Sequence, residues 1–341
     1  MRPLPRQPSA PVQHHAETDT RWPGPTLGTF LLSLIAATAI IWLTVLAWQA
    51  EPAEGVSRWA VVLGLFVQRL RILAVAAAWV LAVLGIGCEA GSLVLPNVPR
   101  GERWLFRAGL GVGAMGVLIL VVGALGAFWA IWVLWVLGFG ALARRIWAEW
   151  REVREALGAR LALEGWEWLW VLVSVVTLIV ALLSMFLPPL DYDVLEYHLG
   201  VPARYLEAGR IVGLATNVYS NFPLTAEMHY LVGLAVLGKV EGGCFAKLFN
   251  IFCSLVAALG VLALARELFG SRRAALLALA VFATTGWLLV LACVKAYVEP
   301  ALTAFTVLAL LAFVRWTQGG STGRRGLLFA GLLVGFACGT K

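Results

Sequence analysis

Residues 167–187 read EWLWVLVSVVTLIVALLSMFL and run directly into PPLDYDVLEYHL at 188–199. From Trp168 to Leu187 the stretch carries no charged side chain. An α-helix rises about 1.5 Å per residue, so about 20 apolar residues cross a hydrocarbon core of about 30 Å. The stretch therefore predicts a membrane-spanning helix that stops at a proline pair and delivers acids into a polar loop.

The rest of the chain repeats the pattern. Spans are expected near 27–48, 72–90, 105–124, 126–142, 167–187, 246–266, 274–292, 297–316 and 326–341. Hydrophobic residues make up 61% of the chain and charged ones 13%, against about 45–50% and about 25% in soluble domains. That balance excludes a soluble enzyme. The 16 tryptophans suit a bilayer, whose interface takes an apolar ring with a wet N–H. The expected fold is all-α, a polytopic transmembrane helix bundle of about nine spans, with juxtamembrane helices in a large extracytoplasmic loop. Residues 59–67 are apolar too, but Gln68, Arg69 and Arg71 interrupt them and are expected to snorkel at an interface. Gly109 and Gly113 supply the small-xxx-small spacing that lets helices approach closely.

A net charge of +7 does not indicate nucleic acid, because the arginines lie in short clusters between apolar runs. Arg144, Arg145, Arg151, Arg154 and Arg160 follow the fourth span. Arg266, Arg272 and Arg273 follow the sixth, and Arg315, Arg324 and Arg325 the eighth. Excess Arg and Lys marks cytoplasmic loops, so these loops, the cluster Arg100, Arg103 and Arg107, and the N-terminus are expected inside. The expected organisation is a disordered cytoplasmic tail at 1–25, transmembrane helices of unassigned role at 26–142, a basic cytoplasmic loop at 143–165, and a transmembrane core at 166–341. Residues 224–238, LTAEMHYLVGLAVLG, are too short to cross easily and contain Glu227 and His229. They are expected to lie as a helix in the outer interface. Cys88, Cys244, Cys253, Cys293 and Cys338 form no CxxC pair and no metal-ligand spacing, and read as small apolar fillers.

With this topology, concentrated acids on the outer face fall in the loop 188–245 and the turn 293–299. Asp191 and Asp193 are spaced i, i+2 among Tyr192, Tyr197, His198 and Tyr205, with Arg204 and Arg210 following. Acids at a span end are often solvated caps, and this clustering argues for more. Glu299 stands at a span end, where a carboxylate is costly unless paired or lining a polar cavity. Lys295, four residues earlier, is its expected helical partner.

These residues carry a resemblance. Residues 166–341 resemble the integral membrane glycosyltransferases of the GT-C superfamily, in particular bacterial relatives of protein O-mannosyltransferases and aminoarabinose transferases. The resemblance rests on LDYDVLEYHL after a span, then YLEAGRI, NVYSNFPLTAEMHYL, LARELFG with basic residues, AYVEPALTAF and GLLVGFACGTK, in that order. It implies transfer of a sugar from a polyprenyl-phosphate donor to an extracytoplasmic acceptor (lipid, glycan or protein) at the cytoplasmic (inner) membrane. It makes Asp193 and Glu299 the catalytic acids, helped by Asp191, and Tyr197, His198, Arg204, Arg210 and Lys295 the substrate-binding residues. Some relatives have Glu-Lys-Pro where this chain reads Asn221, Phe222, Pro223, so the lysine expected at the lipid phosphate is missing there and Arg204, Arg210 or Lys295 would replace it. Family members generally continue beyond the position of Lys341, so the resemblance implies a partial copy.

The chemistry suits these residue types. A carboxylate serves as general base for an acceptor hydroxyl, and Arg, Lys or a divalent cation such as Mg or Mn, bridged by carboxylates, would steady the leaving phosphate. Two other classes fit the same pattern: a transporter or channel using Asp193 and Glu299 as a cation or proton site, and an inactive truncated membrane protein.

Overall fold

The computed structural model describes residues 24–49, 56–286, 295–319 and 323–341. Nearly all of the tail at 1–25, part of the span expected at 274–292, and Cys293 lie outside the described residues. Among the described residues the structure is helical, with no strand and one isolated β-bridge, between Thr26 and Arg160. The long helices are α1 (Leu27–Gln49), α2 (Arg58–Val94), α3 (Arg100–Ala124), α4 (Ala130–Ala148), α6 (Trp166–Ser184), α8 (Glu227–Phe269), α9 (Arg272–Ala283), α10 (Glu299–Thr317) and α11 (Arg324–Thr340). Short helices α5 (Trp150–Gly158) and α7 (Gly200–Ala208) lie in the connections. Seven of the described helices are long and apolar enough to cross a membrane. The chain is a multi-pass membrane protein built as an all-α helix bundle.

Small residues set the packing. A side chain at Gly109 would meet Leu308 of α10, and one at Gly113 the Phe336 ring of α11, so the spacing read in α3 is where two helices press against it. Gly85 of α2 meets the Gly138 carbonyl of α4 in the same way. Trp79, Phe106, Phe245 and Phe249 fill the centre, all buried.

Ion pairs gather most of the arginines at one end of the bundle. Arg272 binds Glu167 at 2.6 Å, joining the start of α9 to that of α6. Arg315 near the end of α10 bridges Glu102 of α3 and Glu267 of α8. Arg107 is buried against Glu149 at 2.7 Å. The start of α1 bonds the segment after α5 through Leu27 N–H to the Ala159 carbonyl, 2.8 Å. Asp191, Asp193 and Glu299 occupy the opposite ends of their helices.

Three expectations change. Residues 59–67 belong to α2, a single helix of 37 residues, because its polar side chains find partners instead of snorkelling. Arg69 donates to the Phe186 carbonyl, 2.8 Å, and Arg71 and Gln68 both bind Glu241. The segment 224–238 does not lie on a surface. Residues 227–237 are an arm of α8 that folds back on the rest of the helix at Gly238, whose φ of 81° and ψ of −179° are non-helical. Tyr230 donates to Asn250 at 2.7 Å and His229 stacks on Phe249 at 4.2 Å. In a continuous helix residues 20 apart would be separated by about 30 Å. The arm's own length, about 16 Å, cannot cross a bilayer, and Glu227 through Leu234 are all buried. Burial is tolerated because His229 is satisfied on both nitrogens, accepting from Trp79 Nε1 at 3.1 Å and donating to the Val112 carbonyl at 3.0 Å. The third change concerns Lys295, whose partner is not Glu299.

Candidate functional site

The acidic loop begins where α6 stops before Pro188 and Pro189. The Asp191 side chain accepts the Asp193 backbone N–H at 3.2 Å, a local turn that aspartate favours. A π-helical turn, Val194–His198, follows and closes with Leu199 N–H on the Val194 carbonyl at 2.8 Å. Such wide turns recur at functional sites because they re-aim side chains. Here Val194 and His198 are turned into the protein while Leu195 faces out. Glu196 is held by Asn217, whose amide donates to its backbone and side-chain oxygens, both at 3.1 Å. That anchors the 3-10 turn Val218–Asn221 against the π turn.

Across from this loop lies the segment before α10. Lys295 Nζ is 2.8 Å from Asp191 Oδ2. The Tyr297 hydroxyl lies 2.6 Å from Asp191 Oδ1 and 3.1 Å from Asp193 Oδ2. Ala296 between them has a φ of 52°, unusual for a residue with a Cβ. Residues 295–298 are not helical and α10 begins at Glu299. The helical spacing expected to pair Lys295 with Glu299 is therefore absent. Glu299 instead binds Lys341, at the end of α11.

The electrostatics follow from these contacts. The Lys295 ammonium and then the Tyr297 hydroxyl hold the Asp191 carboxyl below its usual 3.8. Burial, followed by the two aspartate contacts, pushes the Tyr297 phenol up. Burial and then the charges of Asp193 and Glu299 push Tyr197 up to about 12, so both carboxylates act on one phenol.

Two cavities flank the acids. One, about 290 Å³, is lined by Tyr197, His198, Phe222, Pro223, Glu227 and Lys341 among others. His198 Nδ1 lies 2.8 Å from Glu227 Oε1, with both side chains buried. The other, about 400 Å³, is lined by Ser184, Leu187, Asp191, Lys247 and Lys295. Lys247 is buried and donates to the Ser184 and Leu187 carbonyls at 2.9 and 2.7 Å. One turn further along the same helices, α6 and α8 border an apolar groove of about 250 Å³ that includes Leu178, Ala181, Ile251 and Leu255.

Of the residues singled out in sequence, Asp191, Asp193, Tyr197, His198, Lys295 and Glu299 come to this region. Arg204 and Arg210 do not: both are exposed and unpaired with any acid among the described residues, and Arg210 sits beside the turn at Gly126. Sequence reasoning missed Tyr297, Glu227, Lys247 and Lys341 as members of the site. Among the described residues no group of three or more His, Cys, Asp or Glu side chains could hold a metal ion. Both Asp191 oxygens are engaged by Lys295 and Tyr297.

Residues 227–341 match the family described as dolichyl-phosphate-mannose-protein mannosyltransferase. The matched stretch runs from Glu227 through α11 and includes Lys295, Tyr297, Glu299 and Lys341, whereas Asp191, Asp193 and His198 precede it. Neither a curated protein nor a solved structure matches the chain.

Proposed function

We propose, from the match of residues 227–341 to a glycosyltransferase family of GT-C type, that the chain transfers a sugar from a polyprenyl-phosphate donor to an acceptor hydroxyl at the outer face of the cytoplasmic membrane. The observation that carries the reading is the neighbourhood of two cavities along α6 and α8: an apolar groove and, one helical turn on, a cavity lined by Lys247, Lys295 and Asp191. Lysine ammonium groups thus stand next to an apolar groove. That arrangement suits a lipid chain ending in a phosphate.

The two aspartates then divide the work. Asp191 is held by Lys295 and Tyr297 and organises the site. Among the described residues the Asp193 carboxylate accepts only the Tyr297 hydroxyl, which leaves oxygen lone pairs for a substrate proton. Asp193 takes the proton of the acceptor hydroxyl as its oxygen bonds the anomeric carbon. The bond from that carbon to the phosphate oxygen breaks, and the lysines stabilise the departing phosphate.

The test uses membranes containing the full chain, polyprenyl phosphate carrying a labelled sugar, and a membrane extract as acceptor. Label is expected to leave the lipid for the acceptor fraction with the wild type and not with Asp193→Asn. Equal transfer by the two proteins would remove Asp193 from the reaction, and a wild type that neither binds nor consumes the lipid donor would overturn the reading.

A further inference from the structure

Three buried polar atoms close to the 290 Å³ cavity have no hydrogen-bond partner among the described residues: His198 Nε2, Glu227 Oε2 and Glu299 Oε2. Buried polar atoms are almost always paired, since an orphan costs roughly 1–3 kcal/mol. His198 and Glu227 line the void themselves, and Glu299 holds Lys341, which does. Such a concentration marks a place where ligand atoms complete the bonding.

We propose that this cavity is the subsite for a sugar ring, in which His198 Nε2 hydrogen-bonds a ring hydroxyl and Glu227 is a positioning residue. The inference rests on the glycosyl-transfer reading and adds the place and the residues that hold the sugar. The 2.8 Å bond between His198 Nδ1 and Glu227 Oε1 occupies one ring nitrogen and fixes the ring, so Nε2 is the atom left to bond a ligand. A hydroxyl, both donor and acceptor, pairs with Nε2 in either tautomer. The arm of α8 fixes the geometry: Glu227 is its first residue, and the arm is locked by Tyr230 on Asn250 and by His229 on Trp79.

Size and charge favour a sugar over the lipid phosphate. The cavity is near the lower end of ligand pockets, about 300–1,000 Å³. Lys341 is offset by Glu299, and the His198–Glu227 pair adds no positive excess, so the cavity offers a phosphate little net attraction. Apolar faces are present as well. Tyr197 stacks on Tyr219 at 4.7 Å, and Phe222 stands edge-on to both rings. Aromatic faces beside hydrogen-bonding groups suit a ring with C–H faces and hydroxyl edges. The ring belongs either to the donor sugar or to a glycan acceptor, and the two are separable.

The full chain in vesicles would be titrated with polyprenyl phosphate mannose and with bare polyprenyl phosphate. If the donor sugar occupies the cavity, the wild type binds the mannosyl lipid more tightly. His198→Ala then removes about tenfold or more of that preference and leaves bare-lipid affinity unchanged. Glu227→Ala behaves the same way, and Glu227→Gln restores part of the preference because its amide oxygen still accepts from Nδ1. If the acceptor's ring occupies it, the donor preference stays and the acceptor KM rises about tenfold in His198→Ala with kcat held. Should His198→Ala lose bare-lipid binding through misfolding, Phe222→Ala at the half-exposed rim is expected to weaken the same sugar term several-fold. Unchanged sugar preference and unchanged acceptor KM in a variant that still binds bare lipid overturn the subsite while leaving the donor reading intact. A wild type that binds neither lipid overturns both.

Discussion

Asp191 gives both oxygens to Lys295 and Tyr297, whereas Asp193, two residues on, receives only the tyrosine hydroxyl. Their substitutions therefore separate. Asp193→Asn keeps the volume and removes the proton-accepting oxygen, and is expected to lower transfer by about 10²–10⁴-fold with the protein still in the membrane. Asp191→Asn leaves Lys295 without its counter-charge and lowers thermal stability in detergent. The Asp191 pKa is depressed in the folded protein, so its stabilisation is complete above the unfolded value near 3.8 and is lost as pH falls through the lower folded value. Melts of wild type and Asp191→Asn are thus expected to differ most near neutral pH and to converge below about pH 4. A constant gap down to pH 3 would contradict the ion pair. Asp191, Asp193, His198 and Glu299 were legible in the sequence because acids and histidine at span ends are rare in so apolar a chain. Glu227 was not, because a lone acid in a short apolar run signals a surface helix until its partner, 29 residues away, is seen. The Lys295–Glu299 pair failed because helical spacing was applied to residues 295–298, where Ala296 turns the backbone out of helix.

Helix lengths were readable from apolar runs, since a bilayer imposes one length on every crossing. Direction reversal inside a run was not, as α8 shows. Its apolar runs are separated by GKVEGG at 238–243, which marks a break but not the direction the chain takes after it. Gly238 holds a φ of 81° with ψ near 180°, a region open almost only to glycine. Gly238→Ala is therefore expected to cost about 1–3 kcal/mol, read as a lower melting temperature, and to loosen Glu227 from His198. Gly242→Ala tests the same feature independently, because its new Cβ would fall 2.8 Å from the Leu234 Cα across the fold. By contrast, Gly140→Ala meets nothing within 4 Å and should leave stability unchanged or slightly raised. Equal tolerance at all three positions would mean that α8 runs straight. The length of α2 was misread for a related reason. Charges at Arg69 and Arg71 look like a span end, yet Phe186 and Glu241 answer them within the bundle.

Most ion-paired arginines, Arg71 apart, lie at one end of the bundle and the candidate site at the other, so the expected orientation of the whole molecule follows from a single assignment. With the excess positive charge facing the cytoplasm, as the charge rule expects, the proposed site would lie outside. In a background without native cysteines, Thr216→Cys, exposed near the site, should react with a membrane-impermeant thiol reagent applied from outside. Arg154→Cys and Arg273→Cys, exposed at the basic end, should react only after permeabilisation. The reverse pattern would place the acids inside and exclude an extracytoplasmic acceptor. The folded-back arm of α8 also bears on how such a molecule is made. Residues 227–237 are too short to be recognised as a span during insertion, and they carry a histidine and a glutamate that hydrocarbon rejects. Their partners, Trp79, Val112 and His198, belong to segments synthesised earlier. The arm can therefore enter only after those helices have been placed and have closed around a polar socket, which makes completion of the sugar cavity a late step of biogenesis.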